Sequence, residues 1–247
     1  MMVEIKNSQE IDPTLKILVY GPSGVGKTVF GATAPDVLFL DAEGGMLSVA
    51  DKKIDRIKIE SFKDIKDAFM FLKNEKHDYK TVVINSLTET QKKSMDEILK
   101  ASGKDMPRIG DWGMNIEQIR RMVRNFRDLP MNVIITALEM NLTDEDEGIS
   151  TKSPALQGKS LPQEVMGFMD VVGYMVAQEK KIESEGKGKK ETEKKVVRAI
   201  RVQPTASINA KDRSPGGKLG IWVKPDFTEI HETVFGKPVT KKKKGTK

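Results

Sequence analysis

The segment Gly21-Pro-Ser-Gly-Val-Gly-Lys27-Thr28 fits the pattern G-x-x-x-x-G-K-[ST] of a phosphate-binding loop. It follows the apolar run 16–20, typical of a buried strand, and precedes residues 28–32, which can begin a helix. Glycines allow successive backbone N–H groups to converge on phosphate oxygens, and the start of a helix adds partial positive charge. A chance glycine-rich turn is the alternative, but the strand–loop–helix context favours a nucleotide site formed by Gly21, Pro22, Ser23, Gly24, Val25, Gly26, Lys27, Thr28 and Val29.

Two side chains of this loop have expected roles in binding a nucleotide. The Lys27 ammonium is placed to reach the β- and γ-phosphates, and the Thr28 hydroxyl is placed to bind Mg²⁺. The sequence therefore predicts ATP and Mg²⁺ as cofactors.

The composition limits the class of protein. With 247 residues, the chain is long enough for one large α/β domain with a sizeable core. It has no cysteine and two histidines, which excludes disulfides, thiolate metal sites and a histidine-based zinc site. It has neither an apolar stretch of membrane-spanning length nor a secretory leader, so we expect a cytoplasmic protein with no membrane partner.

The positive charge is concentrated at the end of the chain. The formal net charge is +6, from 42 basic and 36 acidic residues, and five of the lysines lie in residues 241–247. A like-charge tail is typical of a disordered interaction arm, and a solubilising end is the alternative. We therefore predict a single domain over residues 1–237 and a disordered basic tail over 238–247.

Strand and helix patterns alternate through the first 140 residues. Apolar runs at 37–41, 81–85 and 132–136 predict buried strands, and helical spacing returns between them. This order predicts an α/β fold with a mainly parallel central sheet and helices on both faces. Two later strands, 170–178 and 196–203, flank a charged insert and predict an antiparallel hairpin extension with a mobile tip.

A second functional signal lies just after the strand at 37–41, in the turn Asp41-Ala-Glu43-Gly-Gly45. A carboxylate at this place can face the γ-phosphate and polarise an attacking water, and a simple turn carboxylate is the alternative. The strand at 81–85 ends in Asn85-Ser86, at the place of a Walker B strand end.

This combination resembles the RecA-like ATPases, in which the strand after the phosphate-loop helix ends in Asp-Ala-Glu. A narrower resemblance covers most of the chain and points to small phage-encoded RecA-like ATPases of the single-strand annealing recombinase type, with an AAA-family ATP-binding domain. Besides the loop and the turn, it rests on five motifs in this order: Asn85-Ser86-Leu87-Thr88, Asp111-Trp112-Gly113, Ile135-Thr136-Ala137, Leu156-Gln-Gly-Lys159 and Ala210-Lys211-Asp212-Arg213.

The resemblance implies an ATP-dependent, single-stranded DNA-binding protein of phage DNA annealing or recombination. Such a protein acts as a ring or filament of identical subunits in the cytoplasm of a bacterial host, and a single-strand binding protein is a further expected partner. By the same resemblance Glu43 is the general base, and Thr28 and Asn85 hold the metal.

Two departures from the family pattern bear on hydrolysis more than on nucleotide binding. Asn85 stands where an aspartate usually holds Mg²⁺ through water, and Leu138 stands near the usual place of a polar γ-phosphate sensor. A nucleotide-gated DNA-binding module with little or no hydrolysis is therefore the main alternative function. A P-loop metabolic kinase is a weaker one, because no arginine-rich lid is evident.

Two segments without regular periodicity, 102–113 and 140–162, are predicted to be loops. In RecA-like proteins, loops at these places line the DNA path. The first offers Lys104, Arg108 and Trp112, which suit phosphate contact and base stacking, and the second offers Lys159. The alternative for Trp112 is packing under the following helix.

A pair of cations near the end of the domain resembles the subunit-edge residues of RecA-like rings and filaments. Lys211 and Arg213 are two positions apart, so in a strand both point to one side. The resemblance implies that they act in trans on the γ-phosphate of a neighbouring subunit, as arginine fingers do. A solvated turn is the alternative, because Ser214-Pro-Gly-Gly217 follows.

Overall fold

The computed structural model describes Asn7 and residues 12–144, 148–186 and 189–236. The strands are β1 (Lys16–Tyr20), β2 (Val37–Asp41), β3 (Asp55–Lys58), β4 (Thr81–Asn85), β5 (Asn132–Ala137), β6 (Glu139–Asp144), β7 (Ile149–Pro154), β8 (Val171–Gly186), β9 (Lys189–Arg201), β10 (Lys211–Asp212) and β11 (Trp222–Val223). The α-helices are α1 (Lys27–Gly31), α2 (Phe62–Asn74), α3 (Leu87–Ser102), α4 (Ile109–Arg127), α5 (Leu161–Phe168) and α6 (Phe227–Phe235).

The central sheet has the strand order β11-β9-β8-β1-β5-β4-β2-β3, and β10 also pairs with β8. The strands from β8 through β1, β5, β4 and β2 to β3 are parallel to their neighbours. β9, β10 and β11 pair in antiparallel fashion at the other side. The predicted α/β fold, a mainly parallel sheet with an antiparallel hairpin extension, is confirmed.

Helices cover both faces of the sheet, which explains why the central strands are apolar along their whole length. One face packs on α2, α4 and α5, where Phe69 meets Phe126 edge to face with ring centroids 5.4 Å apart. The other face packs on α1 and α6, where Phe30 lies near Phe227. The three buried strands predicted from residues 37–41, 81–85 and 132–136 are β2, β4 and β5.

Both segments predicted to be loops contain regular structure. Residues 140–162 include most of the β6–β7 hairpin, a separate two-stranded sheet, and the start of α5. The β6–β7 hairpin lies outside the main sheet, so both of its faces can carry polar side chains. Its strands therefore do not stand out as apolar strands in the sequence. In the other segment α4 begins at Ile109, since the Asp111 carboxylate accepts the backbone N–H of Arg108 and caps the helix.

The charged insert of the predicted hairpin continues the two strands. β8 pairs with β1 only as far as Tyr174, and beyond that residue β8 and β9 pair with each other up to Gly186 and Lys189. A two-stranded ribbon outside the main sheet has no apolar face to bury. Its sequence therefore lacks the apolar pattern by which a buried strand is recognised. The tip at 187–188 and the basic tail at 238–247 lie outside the described residues. Across the part that the structure describes, no helix has the length and apolar character needed to cross a membrane.

Candidate nucleotide-binding site

The phosphate-binding loop follows β1 at the edge of the sheet where the parallel strands end. Because carboxyl ends of parallel strands meet at one edge, the residues after β2 and β4 lie close to the loop. The turn after β2 and the phosphate-binding loop border a cleft of about 460 Å³. The side chains and glycines around it are Ser23, Gly24, Gly26, Lys27, Thr28, Val29, Phe30, Glu43, Gly45, Ser48, Met175, Arg198 and Pro225.

Two glycines of the loop are required by close contacts with β8 and β9. A Cβ atom placed on Gly21 would lie 2.5 Å from the carbonyl oxygen of Met175. Gly26 has a φ of +110°, and a Cβ atom there would lie 3.1 Å from Cδ of Arg198. The loop therefore packs against the antiparallel half of the sheet. Backbone contact excludes a larger residue at Gly21, and the positive φ disfavours one at Gly26.

Lys27 is the charged group at the base of this cleft. Its side chain is buried, and its ammonium donates to the carbonyl oxygens of Gly21 (2.9 Å) and Pro22 (2.7 Å). Burial lowers the pKa of Lys27, and the charges of Glu43 and Glu139 oppose that shift. The ammonium is thus held within the loop that would bind phosphates, with two carboxylates close enough to influence it.

Thr28 and Asn85 face each other behind the loop. The Thr28 hydroxyl lies 3.4 Å from Oδ1 of Asn85, which also accepts a hydrogen bond from the Thr136 hydroxyl at 2.9 Å. Asn85 is fully buried, and its Nδ2 has no hydrogen-bond partner among the described residues. A hydroxyl and an amide oxygen at this distance are hard oxygen donors that suit Mg²⁺, so the pair fits the predicted metal site.

Glu43 reaches the cleft from the far side of β4. The N–H groups of Ala42 and Glu43 donate to the carbonyl of Asn85, at 2.8 and 3.1 Å, and the Gly44 N–H donates to Oδ1 of Asp41 at 2.9 Å. The other Asp41 oxygen lies 3.4 Å from Nη1 of Arg56. Asp41 therefore shapes the turn, and the exposed Glu43 carboxylate is the group presented to the cleft.

A second carboxylate near Lys27 was not selected from the sequence. Glu139 begins β6, two residues after the end of β5, and its Oε1 accepts from the Lys152 ammonium at 2.9 Å. Its Oε2 is buried without a partner in the described part of the chain. The only signal in the sequence was that Glu139 adjoins Leu138, near the expected place of the γ-phosphate sensor. The pairing of Glu139 with Lys152 could not be read from the sequence, because it depends on the β6–β7 hairpin.

The four residues predicted to contact DNA lie on two segments that pack together. Arg108 and Lys159 are exposed, and Trp112 is half-buried in the first turn of α4. The Lys104 ammonium pairs with the buried Asp111 carboxylate at 2.8 Å. A Cβ atom on Gly158 would lie 2.8 Å from Cδ1 of Ile116, so the segment that carries Lys159 lies against α4, about one turn from Trp112.

Lys211 and Arg213 lie away from the loop of their own subunit. Lys211 pairs with Val172 on β8, which is level with Leu18 rather than with the end of β1. Its ammonium donates to the carbonyls of Met166 (3.0 Å) and Gly167 (2.9 Å) at the end of α5. Burial and the Arg213 charge lower the pKa of Lys211 to about 8. Lys211 thus has partners within its own subunit, whereas Arg213 is exposed.

The matching family model defines the class. A model of the AAA domain matches residues 14–214, so the chain belongs to this family of P-loop domains. Among solved structures, the chain is similar to a KaiC-like protein from the hyperthermophilic archaeon Pyrococcus horikoshii OT3, with 13% sequence identity and a TM-score of 0.43. That match covers 76% of this chain and 78% of the other. A comparison with curated proteins gave no match.

Proposed function

We propose that this protein is an ATPase that acts on single-stranded DNA in phage annealing or recombination. The observation that carries the ATPase proposal is the cleft lined by the phosphate-binding loop with Thr28 and by the Glu43 carboxylate, with the buried Asn85 directly behind Thr28. Backbone N–H groups and Lys27 bind the phosphates. Glu43 takes a proton from the attacking water. Thr28 and Asn85 would hold Mg²⁺, which would supply positive charge against the phosphates.

The DNA part of the proposal is supported by the surface formed by Arg108, Trp112 and Lys159. Exposed cations beside an aromatic ring suit a single strand, because phosphates are bound electrostatically and bases stack on the ring. The protein acts as a homo-oligomer in the cytoplasm of the host cell, together with a single-strand binding protein. Arg213 is the residue offered to a neighbouring subunit.

The first prediction concerns DNA-stimulated turnover. Single-stranded DNA is expected to raise the rate of phosphate release from ATP, and DNA affinity is expected to fall steeply with salt. Trp112→Ala should lower DNA affinity by about 1–3 kcal/mol, the usual loss of one stacked base. Trp222→Ala, at the other tryptophan, is the matched control, and Lys27→Ala controls for contaminating ATPases.

Titration of labelled oligonucleotides by anisotropy, together with phosphate release, checks this prediction. ATP hydrolysis that DNA does not stimulate, together with no DNA binding, would contradict DNA as the polymer partner. The proposed nucleotide site would not be affected by that result. Deleting residues 241–247 should flatten the salt dependence, and equal slopes would exclude the tail from binding.

The second candidate function, a nucleotide-gated DNA-binding module with slow turnover, is favoured by Asn85. An amide carries no charge for the metal, and the buried Nδ2 of Asn85 has no hydrogen-bond partner in the described part of the chain. Asn85→Asp places an anionic acceptor there, so turnover should rise at low Mg²⁺. A magnesium titration of the ATPase rate measures this, with Asn115→Asp in the α3–α4 contact as control. An unchanged magnesium dependence would show that metal charge does not limit the rate.

A further inference from the structure

Arg198 is a cation on β9 that reaches the phosphate-binding loop. Its Nε donates to the carbonyl oxygen of Val25 at 3.0 Å, and its Cδ crowds the left-handed Gly26. Its side chain borders the same cleft as Lys27 and Glu43. Among the side chains that the structure describes, no carboxylate pairs with it. Its two Nη groups therefore keep their donors for a ligand.

The strand order fixes the direction from which Arg198 approaches. Glu43 follows β2 and Asn85 ends β4. Both strands lie on one side of β1, whereas β9 lies on the other side beyond β8. The Thr28–Asn85 pair marks the metal side of the loop. Arg198 thus approaches the loop from the side opposite the Thr28–Asn85 pair. Ile200 lies two residues after Arg198 on β9, so both side chains are on the same face of the strand. Ile200 is buried in the same cluster as Val25, so this face points to the loop.

We infer that Arg198 binds non-bridging oxygens of the α- and β-phosphates of a nucleoside di- or triphosphate, in the same subunit. A guanidinium presents a planar fork of N–H donors and keeps its charge at all relevant pH values, which suits phosphate oxygens. Its Nε is fixed on the loop, so the Nη groups are oriented before the nucleotide arrives. The inference rests on the proposed nucleotide binding and adds a positioning role from a part of the chain without a phosphate motif.

The proposed contact of Arg198 with the α- and β-phosphates predicts how its replacement changes the affinities for ATP and ADP. ATP and ADP share the α- and β-phosphates, so Arg198→Gln should weaken both by the same factor, about 10- to 100-fold for a lost charged hydrogen bond. Arg198→Lys keeps the charge but loses the fork, and it should fall between the parent and Arg198→Gln. Competition of ATP, ADP and AMP against a fluorescent ATP analogue, on the full chain, gives the affinities.

Arg201→Gln is the matched control. Arg201 lies on the same strand but on its other face, with Nε on the carbonyl of Gln203 and the guanidinium over the Trp222 ring. Its replacement should leave nucleotide affinity unchanged. Thermal melting of Arg198→Gln and Arg201→Gln shows whether each variant retains the fold. If Arg198→Gln does not fold, the affinity of Arg198→Lys still tests the inference.

Three results would overturn the inference, and they can be told apart. Parent-like affinity of Arg198→Gln, with binding lost in Lys27→Ala, would remove the role of Arg198 and keep the proposed function. A loss confined to ATP would place Arg198 at the γ-phosphate instead. No nucleotide binding by the parent protein would remove the proposed function together with the inference.

Discussion

Replacing Glu43 with glutamine is expected to leave ATP affinity intact and to lower turnover by about 10²–10⁴-fold, the usual effect of losing a general base. Glutamine has nearly the same shape but cannot accept a proton from water. Because Glu43 is exposed and its carboxylate holds no part of the turn, which depends on Asp41 and Asn85, the variant should fold normally. Single-turnover phosphate release separates the chemical step from product release.

Glu139→Gln is the informative comparison, since Glu139 is the other carboxylate that influences Lys27. Burial alone raises the pKa of Glu139, but the neighbouring Tyr174 hydroxyl and Lys152 ammonium outweigh it, and the net pKa is lowered. Glu139 is held by Lys152 and does not line the cleft, whereas Glu43 does, so Glu139→Gln should affect turnover less than Glu43→Gln. The opposite order would assign the base to Glu139.

Arg213→Ala is expected to lower turnover by about 10³-fold or more while preserving ATP affinity, as loss of an arginine finger does. Arg213 follows β10, where its N–H donates to the carbonyl of Asp170 at 3.1 Å. That place is level with the start of β1, so the exposed Arg213 side chain is remote from the phosphate-binding loop of the same chain. Arg121→Ala, at an exposed arginine of α4, is the control.

Mixing two inactive variants tests whether Arg213 acts in trans. Arg213→Ala protein has an intact phosphate loop, and Lys27→Ala protein has an intact Arg213. Interfaces that combine both intact halves should restore part of the ATPase activity. If the two variants assemble together and the mixture stays inactive, the trans role is refuted.

The sequence predicted those parts of the site that depend on local pattern. Residues 21–29 and the turn at Glu43 could be proposed because a loop, a strand end and a turn are each specified within a few residues, and their roles stay predictions. Arg198 was missed because its contact joins residues 173 positions apart, and nothing near it in the chain resembles a phosphate site. Lys211 was paired with Arg213 from spacing alone, yet its ammonium contacts the end of α5, which only the packing of that helix reveals.

The long ribbon formed by β8 and β9 has its base at the candidate nucleotide-binding cleft. β8 touches the loop where Met175 meets Gly21, and Arg198 on β9 holds the loop at Val25. From Tyr174 to Gly186 the ribbon spans roughly 40 Å, at about 3.3 Å per residue. A tilt of about 5° at its base therefore moves the far end by roughly 3–4 Å. If the ribbon moves as a rigid body, we expect a sub-ångström displacement of the loop to become a displacement of several ångströms at the far end, enough to make or break a contact with another molecule.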